Sequence, residues 1–139
     1  MITIAFIDDN IDLLEIATIY YKKHHSTINL ITFNNPLKLL AFLKDCHKNS
    51  DQKLDFIISD FDMPELNGID LLKQIRAFSD IPFVILTGSY YKSIHIVQEA
   101  IESGLTDCFL KSSNIDKMFR EINSHIYTIL NIKKNWEKN

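Results

Sequence analysis

The side chains best suited to chemistry sit directly behind short apolar runs. Asp8 and Asp9 follow Ile2 to Ile7, Asp60 follows Phe56 to Ser59, Thr87 follows Ile81 to Leu86, and Lys111 follows Cys108 to Leu110. If one crevice gathers them, three carboxylates meet a hydroxyl and an ammonium. Two unit charges about 4 Å apart repel by roughly 4 kcal/mol at an effective dielectric near 20, so a proton or a hard cation must relieve the cluster. Oxygen-only ligands suit Mg²⁺, which keeps several waters and accepts phosphate oxygens. Asp9, Asp60 and the backbone carbonyl of Asp62 are the candidate inner ligands, with Asp8 acting through water. Beside such a cation the Asp60 carboxylate is placed to attack phosphorus. Phosphoryl transfer depends mainly on positioning and on neutralising oxygen charge. The Lys111 ammonium and the Thr87 hydroxyl are candidates for holding phosphoryl oxygens, with Gly88 leaving room beside the hydroxyl.

Positioning these groups requires strands whose ends converge. The apolar runs alternate with longer amphipathic stretches, which is the signature of strands separated by helices. After Ile2 to Ile7, Asn10 can cap a helix from Ile11 to about Lys23, its apolar face being Leu13, Leu14, Ile16, Ala17 and Tyr20. Asn29 to Phe33 is a second strand. Pro36 opens a helix that should bury Leu37, Leu40, Ala41 and Leu43. Phe56 to Ser59 is the third strand. Past a loop containing Gly68, residues Leu71, Leu72 and Ile75 mark the third helix. Ile81 to Leu86 is the fourth strand, Ile94, Val97, Ala100 and Ile101 have helical spacing, and Gly104 fits a stop. Cys108 to Leu110 is a brief fifth strand, followed by a helix carrying Ile115, Met118, Phe119, Ile122, Ile126 and Ile129. Strands joined through helices run parallel and are covered on both faces. The fold class is therefore α/β, a doubly wound five-stranded parallel sheet. Ligands of such sheets bind beyond the carboxyl ends of the strands, where the five candidate side chains lie.

Composition agrees with one ordinary domain. The chain has 139 residues, 46% hydrophobic and 24% charged, with a formal net charge of -3. Disorder and a broad electrostatic nucleic-acid surface are both disfavoured. No apolar run approaches the roughly 18 residues needed to span a bilayer, and the first residues do not read as a signal peptide. Cys46 and Cys108 lack metal-type spacing and read as reduced thiols of a cytoplasmic protein. The five histidines show no ligand pattern and read as solvated or partly packed.

The segments Ile7-Asp8-Asp9-Asn10, Ser59-Asp60-Phe61-Asp62-Met63-Pro64 with Gly68, Leu86-Thr87-Gly88 and Leu110-Lys111 resemble the receiver domains of two-component response regulators. Each motif alone is weak, and four in order on successive strand ends are specific. The resemblance covers roughly Ile2 to Ile129 and implies the flavodoxin-like (βα)5 fold with strand order 2-1-3-4-5. It implies phosphorylation of Asp60 by a histidine kinase or histidine phosphotransfer protein, and Mg²⁺ at Asp8, Asp9 and Asp60. It also implies a rearrangement linked to Thr87 and a downstream protein target, with no direct nucleic-acid or membrane contact within this chain. Residues 1–130 form the receiver domain on this reading, and 131–139 a C-terminal helix extension or the start of a linker.

Two positions depart from the family pattern. Ser112 stands where receivers usually have proline after the lysine. Cys108 stands where they usually carry Tyr or Phe, while Phe109 falls on the other side of the strand by period-two alternation. Two alternatives therefore stand beside the switch. One is a degenerate receiver working as an interaction module through the region from Tyr90 to Gly104 and the tail. The other is a phosphohydrolase of the haloacid dehalogenase type, suggested by Asp60-Phe61-Asp62 but with its motifs in the reverse order. Ile129, Leu130, Ile132 and Trp136 extend the apolar character of the last helix, so it or the fourth helix could form a homodimer seam. Asp62 and Ser89 flank the approach of an attacking water and are candidates for setting the phosphoryl lifetime.

Overall fold

The computed structural model describes residues 1–48, 52–88 and 94–131. Ten elements alternate along it: β1 (Ile2–Ile7), α1 (Ile11–His24), β2 (Ile28–Phe33), α2 (Pro36–Lys48), β3 (Phe56–Asp60), α3 (Gly68–Arg76), β4 (Phe83–Thr87), α4 (Ile94–Glu102), β5 (Asp107–Leu110) and α5 (Ile115–Ile129). All four strand pairings are parallel, in the order β2-β1-β3-β4-β5. β3 and β4 are buried along their whole length, as strands covered on both faces must be.

Side-chain alternation divides the core in two. Ile4, Phe6, Phe56, Ile58, Val84 and Leu86 point to the layer formed by α1 and α5. Ala5, Ile7, Ile57, Phe83 and Ile85 point to the layer of α2, α3 and α4. Asn10, Asn67 and Asn114 cap α1, α3 and α5, each accepting a backbone N–H three residues on. Gly104, at φ +91, ends α4 in the left-handed conformation, and Arg76 at the end of α3 donates to its carbonyl.

Several helix faces differ from those expected of the sequence. Leu37 is 53% exposed and Ala41 is exposed, whereas Leu39 is fully buried. The inward stripe of α2 is Pro36, Leu39, Leu40 and Leu43, a regular i, i+3, i+4, i+7 set rotated from the expected one. In α1, Ile16 turns outward and Tyr21 is buried instead. β4 begins at Phe83, two residues later than Ile81. Gly68 opens α3 rather than lying in the preceding loop. Ile129 and Leu130 pack against their own domain. Ser89, Tyr90, Tyr91, Ile132 and Trp136 lie outside the described residues, as do the side chains of Ile94 and Val97.

His25 is more deeply packed than the solvated or partly packed state expected of the histidines, being buried. Tyr21 donates its hydroxyl proton to Asn123 Oδ1 (2.5 Å), and the Asn123 amide meets His25 Nε2 at 3.0 Å. His25 Nδ1 faces the Tyr127 hydroxyl at 3.5 Å. This chain of polar groups ties α1 to α5. Burial, then the neighbouring His24, holds the His25 imidazole down at about 4.

Candidate functional site

Asp8 directly follows β1, and its backbone N–H donates to Phe33 O (3.1 Å), which extends the β1–β2 ladder by one step. This anchors a fully buried carboxylate at the exit of a central strand. Its Oδ1 accepts the Asn10 N–H (2.9 Å), in the local side-chain-to-backbone turn that Asp favours. Asp60 is the last residue of β3 and is 5% exposed. Thr87, the last residue of β4, is nearly as buried. Its carbonyl accepts the Lys111 N–H (2.7 Å), so backbone hydrogen bonding alone sets the hydroxyl and the ammonium on adjacent strand ends.

The side chains then converge. Lys111 Nζ lies 2.9 Å from Asp8 Oδ2 and 3.0 Å from Asp60 Oδ1. One oxygen from each of Asp8, Asp9 and Asp60 falls within 4.8 Å of the others, with Asp9 the exposed member. Burial first, and then the charge of Asp8, raises the Asp60 carboxyl to about 6 despite the opposing pull of Lys111. Burial alone would lower the Lys111 ammonium. Its hydrogen bonds to Asp8 and Asp60 outweigh that and hold it above its usual range.

One ammonium cannot balance three carboxylates. Each carboxylate pair at this spacing costs at least about 3.5 kcal/mol at an effective dielectric near 20. Asp8 Oδ2 is buried, and its partner, the Lys111 ammonium at 2.9 Å, is shared with Asp60. An all-oxygen donor set of three carboxylates sharing one ammonium fits a hard divalent cation.

The structure thus brings together Asp8, Asp9, Asp60 and Lys111, and seats Thr87 on the neighbouring strand end. Asp62 lies in the segment after β3 with its side chain exposed. Sequence reasoning did not foresee the part played by Gly68. A Cβ there would stand 2.8 Å from Asp60 O and 3.2 Å from Phe61 Cα, so only glycine lets α3 start this close to the site. A glycine directly after the cap residue Asn67 was the available signal. The fully buried Ser59 was also missed as a support: its hydroxyl donates to Asp60 O (2.8 Å).

Residues 4–123 match the family model of the response regulator receiver domain. The chain belongs to that family. It is 29% identical over 122 residues to the transcriptional regulatory protein CpxR homolog of Haemophilus influenzae, covering 88% of this chain and 49% of that protein. It is 29% identical over 136 residues to the two-component response regulator ARR10 of Arabidopsis thaliana, covering 97% of this chain and 23% of that one. The chain spans less than half the length of these curated relatives. A two-component response regulator from Clostridium difficile shares the fold with a TM-score of 0.74 at 18% identity, over 93% of this chain and 98% of that one. The response regulator TrrA of Thermotoga maritima, solved in complex with Mg²⁺-BeF, superimposes with a TM-score of 0.66 at 21% identity, over 89% and 98% of the two chains.

In this receiver domain the two departures from the family pattern have structural consequences. Cys108 is half-buried against the α2–α4 layer, while Phe109 packs on the α1–α5 layer, edge-on to His125 at 5.5 Å. Ser112 supplies what proline cannot: its N–H points at Met118 Sδ (3.4 Å). Its hydroxyl accepts the Asn114 N–H (3.1 Å) in the turn into α5. No helix among the described residues is long and apolar enough to cross a membrane.

Proposed function

We propose that this receiver domain is a phosphorylation-dependent switch in which Asp60 accepts a phosphoryl group from a histidine kinase or histidine phosphotransfer protein. The observation that carries the reading is the contact of one ammonium, Lys111, with two buried carboxylates at strand exits, Asp8 and Asp60. Asp60 Oδ forms the new bond to phosphorus as the bond from phosphorus to the donor imidazole nitrogen breaks. That nitrogen keeps the bonding electron pair. Lys111 exchanges part of its pairing with Asp60 for a phosphoryl oxygen, and Thr87 donates its hydroxyl to another. Asp8, Asp9, Asp60 and the Asp62 carbonyl would hold Mg²⁺, whose charge neutralises oxygens of the transferring group. We read residues 1–130 as the receiver and 131–139 as a helix extension or the start of a linker. The setting is cytoplasmic and the output is contact with another protein. Asp62 and Ser89 are the positions we assign to control of the phosphoryl lifetime.

The degenerate reading draws on Cys108, which removes the aromatic side chain whose turning reports phosphorylation in the family. It concerns the readout, and it leaves the carboxylate cluster without a purpose. Incubation with Mg²⁺ and acetyl phosphate, followed by intact mass measurement, separates the two. A single phosphoryl adduct, absent from Asp60→Ala, supports the switch. Absence of both an adduct and beryllofluoride binding in the wild type would leave only the interaction module.

A further inference from the structure

A second concave feature lies at the opposite end of the sheet, where β3 and β4 begin. Two adjoining cavities, of about 170 and 260 Å³, open between the last turn of α2 and the segment following α3. His47 and Phe78 line both, with rings 6.3 Å apart and edge-on, so they form the ridge between the hollows. Leu54 and Ile81, the residues leading into β3 and β4, help to floor the first hollow and are buried. Lys53 stands at that hollow, and Lys44 and Lys48 at the other. No carboxylate is among the described residues that line either one. Lys53 pairs with Asp55 at 3.4 Å yet stays 82% exposed, so its charge remains available. Lys44 and Lys48, one helical turn apart, form no ion pair among the described residues.

We infer that this groove docks an acidic segment of a partner protein bearing an aromatic or branched aliphatic side chain. Each hollow is smaller than the roughly 300 Å³ at which small-ligand pockets begin, and suits one apolar side chain of a longer segment. The lysines on the rim then meet carboxylates flanking that anchor. The C-terminal turn of a helix favours cations, which accounts for lysines at the end of α2. It does not account for an apolar hollow beneath them whose described lining holds no acid. Nucleic acid fits less well, because the lining has three lysines, no arginine and no continuous basic stripe, on a chain of net charge -3. The groove borders the entry ends of β3 and β4, whereas Asp60 and Thr87 close their exit ends. A segment held here leaves the phosphorylation site open, so the contact serves to tether the receiver rather than to read its state.

Fluorescence anisotropy with a labelled short peptide, Asp and Glu residues around a central Leu-Trp pair, tests the inference on the full chain. Saturable binding is expected. The double variant Lys44→Glu/Lys48→Glu, both positions exposed, should weaken it about tenfold, close to 1.4 kcal/mol. Phe78→Ala should weaken it as well. Lys22→Glu/Lys23→Glu, at the end of α1 on the other layer, should leave it unchanged with the fold intact by circular dichroism. Three results would overturn the proposal: no saturable binding, equal binding of an Asn/Gln version of the peptide, or equal losses in the two lysine pairs. Tighter, Lys44- and Lys48-dependent binding of an oligothymidylate would replace the peptide with nucleic acid and also overturn it.

Discussion

Among the described residues, two groups of buried polar side chains in this receiver domain are built differently. Between α1 and α5, the side chains of Tyr21, Asn123, His25 and Tyr127 face one another in a chain of donors and acceptors. At the strand exits, Asp8 and Asp60 share one ammonium, with the Asp9 carboxylate beside them. The network is completed by the protein's own atoms and holds two helices together. Among the described residues the carboxylate site sets three acids against one ammonium, so its charge is left unbalanced. Buried polarity marks function where it is unbalanced, and structure where it is balanced.

The largest effect separating the two comes from Asp60→Asn. The phosphoryl adduct should disappear entirely in the intact mass spectrum, while the metal-free protein becomes more stable in urea. Above pH 6 the charged Asp60 weighs against the fold. Its carboxyl sits at about 6 rather than 3.8, and each unit is 1.36 kcal/mol. Removing the charge should therefore gain up to about 3 kcal/mol. A variant less stable than the wild type would mean that Asp60 is balanced by its surroundings after all.

The pH dependence sharpens the contrast, because the two sites have opposite slopes. For His25, folded near 4 against 6.5 unfolded, the unfolded chain binds more protons between those values. Its contribution is full above pH 6.5 and is lost as pH falls towards 4, by about 3 kcal/mol. For Asp60, folded near 6 against 3.8 unfolded, the folded chain binds more protons in that window. Its contribution is present below pH 3.8 and is lost as pH rises through 6. Urea midpoints recorded from pH 4 to 7 should show Asp60→Asn losing ground to the wild type as pH falls. His25→Gln should gain on the wild type over the same range. Parallel profiles for the three proteins would remove both titrations from the account.

Much of the carboxylate site was legible in the sequence, and the network was not. Asp8, Asp60, Thr87 and Lys111 each end or follow an apolar strand, and parallel topology then forces those ends together. The spacing of a period-two strand also placed Cys108 and Phe109 on opposite layers. The network depends instead on how α1 and α5 rotate against one another. That rotation buries Tyr21 in place of Ile16, and a helical period alone does not choose between neighbouring stripes. The same ambiguity put Leu37 inside α2's face when Leu39 belongs there. The requirement for glycine at position 68 arises from a contact with the Asp60 carbonyl, which only the folded backbone reveals.

Breaking the network should cost less than the pH extremes do. Asn123→Ala leaves the Tyr21 hydroxyl and His25 Nε2 each without its amide partner in a buried setting. An unsatisfied buried group costs about 1–3 kcal/mol. A loss near 2 kcal/mol in urea, with the phosphoryl adduct retained, is expected. A loss of the adduct in a folded Asn123→Ala protein would instead couple the α1–α5 layer to the site.

The smallest effect is the direct test of incompleteness. Mg²⁺ that binds the folded chain and not the unfolded one stabilises it by RT ln(1 + [Mg²⁺]/Kd), about 1.4 kcal/mol at ten times the dissociation constant. The wild type should therefore melt higher in Mg²⁺ than in Na⁺ at matched ionic strength. Asn123→Ala should keep the whole increment, since its defect lies between α5 and the C-terminal end of α1, away from the clustered carboxylates. Asp60→Asn should lose most of it, having given up one of the three clustered carboxylates. An equal increment in all three proteins would mean that the cation acts on surface charge generally, and the unbalanced site would then have to be completed by something other than a metal.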